Sequence, residues 1–179
     1  TGIYSRRLTE VTSSLPDIVS LCRKRVSAEE YILEGELIAV DKFGKVLPFN
    51  YVMRRFRRVR GVEEVAKGIV LKLFFFDVLY SSGEELVDLP YVERRRKLLD
   101  IVDKKLVVEM VEVESVDEVN SCFEKWVGEG LEGLMAKAPS SKYGMGRRGR
   151  RWLKLKRFHT LDLVIIGAQW GYGRRKGWL

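Results

Sequence analysis

Glu132-Gly-Leu-Met-Ala-Lys137 and, after a basic loop, Trp152-Leu-Lys-Leu-Lys156 place one carboxylate and several cations where extended chain is expected. Side chains alternate along a strand, so Trp152, Lys154 and Lys156 share one face and Leu153 and Leu155 the other. Successive lysine Cβ atoms then stand about 7 Å apart, close enough for both ammonium groups to reach one phosphate or two adjacent ones. Lysine serves there as a compact point charge, while the planar guanidinium of Arg148 in the intervening loop forks onto phosphate oxygens. With Glu132 as a carboxylate for a metal ion, the set suits a nucleoside phosphate. The plainer alternative is a half-exposed strand with solvated lysines.

A second candidate set lies in 31–41, read as a strand. Ile32, Glu34, Glu36, Ile38 and Val40 fall on one face, and burying an ionised carboxylate there is costly without a cation, a metal or ligand hydroxyls as partner. A wet strand edge or a structural ion pair would satisfy it equally. In Phe74-Phe-Phe76-Asp77, Phe74 and Phe76 share a face; such rings are usually core, but one at a strand end can stack on a purine. Residues 142–157 carry eight Lys/Arg and no acid, loosened by Gly144, Gly146 and Gly149, as an anion-binding loop would. The arginines of 54–60 read either as a solvated helix face or as phosphate-backbone contacts. The single histidine, His159, reads as structural.

Charge is uneven. The net charge is +8, yet residues 139–179 hold eleven Lys/Arg against Asp162 alone, which points to a polyanion, nucleic acid before an anionic membrane. Cys22 and Cys122 are isolated thiols, and with one histidine they make no zinc set. No apolar run approaches the ~20 residues of a membrane span, and a cytoplasmic location is expected. Two Asn and one Gln among abundant Lys, Arg and Glu match the compositional lean of hyperthermophile proteins.

The elements that must position these residues follow from local signals. Ser14 as cap, Pro16 in the first turn and Asp17 near the positive end predict a helix to about Val26. Helices are also expected over 50–60 and 91–102, and from the capping box Ser115-x-x-Glu118, with Val119, Cys122, Phe123 and Trp126 on one side. Strands are expected over 69–80, 106–113, 132–138, 151–158 and 161–168. The irregular interleaving and short turns predict an α+β fold with mainly antiparallel sheets flanked by helices.

Taken together, the chain resembles the nucleotidyltransferase (adenylation) domain of ATP-dependent DNA ligases, most closely the archaeal replicative type. Ser5-Arg-Arg-Leu-Thr-Glu-Val-Thr12 looks like the family's early arginine motif, Leu33-Glu-Gly-Glu36-Leu its third motif and Phe74-Phe-Phe76-Asp-Val-Leu-Tyr80 its adenine-contacting strand. The segments at Glu132 and Trp152 look like its fourth and fifth motifs. The resemblance implies that Arg6 and Glu36 contact the AMP ribose region and Phe76 stacks on adenine. Glu132, with Glu36, would hold Mg²⁺, and Arg148, Lys154 and Lys156 would neutralise phosphates of ATP. The implied reaction seals nicks in duplex DNA in replication and repair: a lysine attacks the ATP α-phosphate, AMP passes to the nick 5′-phosphate, and the 3′-hydroxyl displaces AMP. A sliding clamp is a further implied partner of the parent protein. The family's attacking lysine sits in Lys-x-Asp-Gly, which these residues lack, so it is expected upstream of Thr1. The expected organisation is an adenylation domain of ATP-grasp-like fold over 1–160, incomplete at both ends, then over 161–179 a link and first strand of an OB-fold domain. The isolated chain is then expected not to adenylate itself. An RNA ligase or capping-type nucleotidyltransferase, and a non-catalytic nucleic-acid-binding relative, are the alternatives.

Overall fold

A computed structural model describes all residues except Arg57, Val59, Arg147, Arg148, His159 and Leu179. The chain divides into two compact units, Thr1–Glu114 with Ala136–Leu153, and Ser115–Met135 with Lys154–Leu179.

The first unit is built on β1 (Tyr31–Val40) and β2 (Val70–Ser81), antiparallel along their length, with the short β3 (Glu84–Glu85) beyond β2. Leu71, Leu73 and Phe75 alternate inward from β2, as a strand half covered by helices requires. They join Leu15, Ile18 and Cys22 of α1 (Pro16–Arg25) and its approach, Val52 of α2 (Phe49–Phe56), and Leu98 and Val102 at α4 (Tyr91–Ile101) in one core. A short α3 (Val62–Gly68), not foreseen, links α2 to β2. Register shifts between Ile32/Leu33 and Glu34/Gly35 leave Leu79 and Phe76 unopposed on β2, and the alternation of burial holds through Asp77 and ends at Val78.

Three expectations are corrected. Ser14 does not cap α1: Leu15 holds the cap position, and Ser14, buried in a 3-10 turn (Thr12–Ser14), donates its hydroxyl to the Arg58 carbonyl at 2.8 Å. Residues 106–113 form no strand. Val107 bridges Phe75 and the Val108 N–H donates to the Phe75 carbonyl, but beyond that point the segment has no ladder among the described residues. Residues 161–168 likewise adopt no strand and lie exposed, since an apolar stretch becomes a strand only beside another edge.

The polar centre of the first unit is Arg94 on α4. Its Nε and Nη2 donate to the two oxygens of Asp77 at 2.8 and 2.9 Å, and its Nη1 donates to the Leu89 and Ser141 carbonyls. Both side chains are fully buried. Arg55 of the basic helix is also buried, donating to Asp17 and to the Ile69 carbonyl, which removes it from any surface contact; Arg54 stays exposed over the Tyr51 ring.

In the second unit Ser115 caps α5 (Val116–Gly128) as expected, its Oγ accepting from the Glu118 N–H at 3.2 Å, and Val119, Cys122, Phe123 and Trp126 are its half-buried side. β4 (Gly133–Lys137) and β5 (Trp152–Lys156) form a two-stranded sheet, and the division between units cuts both strands. No helix among the described residues is long and apolar enough to cross a membrane.

Removing one member of the Asp77–Arg94 pair strands a buried charge. Asp77→Asn is expected to cost about 3–5 kcal/mol in urea unfolding, whereas the double change Asp77→Leu with Arg94→Met costs clearly less than the sum of the single changes.

Candidate nucleotide site

The second unit carries an acid and two cations of the expected set. Gly133, at φ 153, allows the close crossing that aligns them: a Cβ there would stand 1.9 Å from the Leu155 carbonyl oxygen. Just before it, Glu132 accepts from Lys154 Nζ at 2.9 Å, with both side chains more than half exposed. That bond, with Lys156 adding a weaker pull, holds the Glu132 carboxyl below the usual carboxylate range, so it stays ionised. Lys156 also lies over the Phe158 ring, 5.4 Å from its centroid. No group of three or more His, Cys, Asp or Glu among the described residues encloses a metal. One ionised, accessible carboxylate nonetheless fits Mg²⁺, which keeps several waters and takes its remaining ligands from substrate phosphates.

In the first unit Arg6 lies on the exposed turn of a small loop closed by the Tyr4–Glu10 bridge. Glu36 is opposite Phe74 in the β1–β2 ladder and exposed, as the wet-edge alternative has it, while Glu34 is half-buried. Phe76 is half-buried and meets Trp152 edge to face at 6.4 Å. Arg148, expected on the phosphates, and His159 lie outside the described residues. Lys154 and Glu132 are thus brought into direct contact, Phe76 is set among aromatics, and Arg6 and Glu36 are placed by backbone.

The residues missed from sequence surround Phe76. Lys137, the last residue of β4, puts its Nζ 3.8 Å from the Trp152 ring centroid, 4.4 Å from Tyr91 and 4.7 Å from Phe76. That nitrogen is buried and donates no hydrogen bond. Burial lowers the Lys137 pKa from 10.5 to about 8, against the pull of the Asp77 and Glu34 charges. Tyr143 in the basic loop donates its hydroxyl to Glu34 at 2.5 Å; burial pushes that carboxyl up, and burial followed by the carboxylate bond pushes the Tyr143 phenol up. Trp152 is edge-on to Tyr91 and Tyr143 as well, at 6.0 and 6.4 Å. An apolar/polar alternation foretells none of this, because a lysine ending a strand ordinarily reads as a solvated terminus.

Antiparallel sheets flanked by helices make this an α+β fold of the kind seen in ATP-dependent ligase domains. Residues 1–156 match the family described as ATP dependent DNA ligase domain, and the chain belongs to that family. It is 47% identical to a DNA ligase of Methanothrix thermoacetophila and 48% identical to one of Thermococcus onnurineus, each over 97% of this chain. A DNA ligase of Archaeoglobus fulgidus is 47% identical over 99%. The chain spans about a third of the length of these relatives, 32% of each. Among solved structures it is similar to a mycobacterial DNA ligase D complexed with ATP and MES, with a TM-score of 0.66 and 25% identity over 88% of this chain and 48% of that one.

Because the folded state releases the Lys137 proton near pH 8 and the unfolded chain near 10.5, the unfolded state binds more protons in between and stability rises with pH there. Tyr143 acts oppositely above about pH 10, where only the unfolded chain ionises. Urea titrations between pH 8 and 10 are expected to show a gain on the order of 2 kcal/mol that Lys137→Met abolishes.

Proposed function

We propose that this chain is the nucleotide-handling part of an ATP-dependent DNA ligase. Residues 1–160 would form its adenylation domain, and 161–179 would lead into an OB-fold domain. The parent protein would seal nicks in duplex DNA in the cytoplasm, through enzyme-AMP and DNA-adenylate stages. The observation that carries the reading is Glu132 held ionised beside Lys154 within the span that matches the ligase family.

Phosphoryl transfer is mostly positioning and charge stabilisation, which suits these side chains. Phe76 would stack on adenine, and Arg6 and Glu36 would orient the ribose. Lys154 and Lys156, with Arg148, would neutralise the phosphates. Glu132, with Glu36, would supply carboxylates to Mg²⁺, whose chemistry is to draw off the charge that develops on the phosphate oxygens. An exposed Glu132–Lys154 pair in water holds its partners only weakly, so a triphosphate with its cation can take both over.

Two outcomes test the reading. Calorimetry with ATP and Mg²⁺ is expected to show binding that Glu36→Ala or Lys154→Ala weakens about ten-fold or more, and unaltered affinity in both variants would overturn the assigned roles. The 179 residues contain no Lys-x-Asp-Gly, so labelled ATP is expected to leave no acid-stable label on them. Labelled protein would refute that part.

A further inference from the structure

A buried ammonium with no hydrogen-bond partner is costly, and a protein that keeps one gains something from its position. Lys137 Nζ is such a group. Three rings, Trp152, Tyr91 and Phe76, line it within 5 Å, which replaces part of its lost hydration by the negative faces of their π-systems. The Asp77 and Glu34 charges attract it and those of Arg94 and Arg95 repel it. Solvent does not reach the nitrogen, whereas Phe76 is only half-buried, so a ligand stacking on that ring would use the face away from the lysine.

We propose that Lys137 is a positioning residue for base recognition, a cation clamped behind Phe76 that fixes the ring and makes its outward face a better platform for an electron-rich purine. The proposal rests on the reading of Phe76 as the adenine-stacking residue. Two physical effects combine. The ammonium draws π-density toward itself, so the far face of Phe76 becomes less negative and repels the purine π-cloud less. Anchored also to Trp152 and Tyr91, the lysine limits the reorientation of Phe76, so less freedom is lost when a base stacks.

The two effects act on the base and not on the phosphates, which separates this role from ordinary charge attraction. Calorimetry on the 179-residue chain would compare ATP with inorganic tripolyphosphate, both with Mg²⁺. In Lys137→Met, whose side chain suits an aromatic cage, ATP affinity is expected to fall about ten-fold while tripolyphosphate affinity holds. Lys137→Arg is expected to restore much of the loss. Equal loss for both ligands, or no loss for ATP while Phe76→Ala still weakens it, overturns the proposal and leaves the stacking role of Phe76 standing. No ATP binding by the unaltered chain overturns both.

A variant-free measurement guards against misfolding. In proton NMR of the unaltered chain, AMP is expected to shift the Lys137 ε-methylene signals together with those of the Phe76 ring, and tripolyphosphate to leave them in place. Lysine signals indifferent to AMP while the Phe76 ring responds would overturn the proposal by themselves.

Discussion

The first unit depends on a bidentate ion pair with no access to water. Asp77 and Arg94 satisfy each other through two hydrogen bonds, and Arg94 then uses its remaining donor nitrogen on the Leu89 and Ser141 carbonyls. One guanidinium thereby joins the central strand β2, the start of α4 and the segment that follows β4. Replaced by apolar residues, such a pair would hold the layers together equally well, so its value is in direction. A planar fork accepts one orientation, and that orientation fixes where the neighbouring rings stand.

Those rings form a continuous polar-to-aromatic series. Arg94 lies 5.7 and 5.8 Å from the Tyr91 and Tyr143 ring centroids, and Tyr143 in turn binds Glu34 on β1. Trp152 is edge-on to Phe76, Tyr91 and Tyr143, and Lys137 lies against three of these four rings. Two buried cations and two carboxylates, Asp77 and Glu34, thus share a small volume. Opposite charges lessen one another's burial cost while Arg94 opposes Lys137 and Asp77 opposes Glu34, and removing any one leaves an imbalance in a region of low dielectric.

Much of this organisation was legible in residue order. Long periodic elements were readable because burial dictates their pattern: β2 alternates, α4 follows Pro90, and α5 begins at the Ser115 cap. The acid at Glu132 and the alternating lysines of 152–156 were readable as candidates for a metal and phosphates beside the plainer reading of solvated lysines, but their direct ion pair was not. What escaped was set by tertiary context. Residues 106–113 alternate well enough for a strand, but a ladder needs a second edge, and only Val107 and Val108 meet one. Ser14 carries a cap signal that lost to the Arg58 carbonyl. Lys137 was in plain view inside a motif, yet nothing local says that its ammonium is enclosed by rings from β2, α4 and β5.

The two lysine environments divide the electrostatic work. Lys154 is exposed, paired with an exposed acid, and screened by water, so it can exchange partners at little cost. Lys137 is enclosed, unpaired and held by π-faces, so it cannot reach a ligand phosphate without dismantling the cluster that surrounds it. A cation meant to follow a moving phosphate needs the first environment. A cation meant to keep a ring in one place needs the second, and the buried Asp77–Arg94 pair supplies the rigid frame against which such a ring can be held.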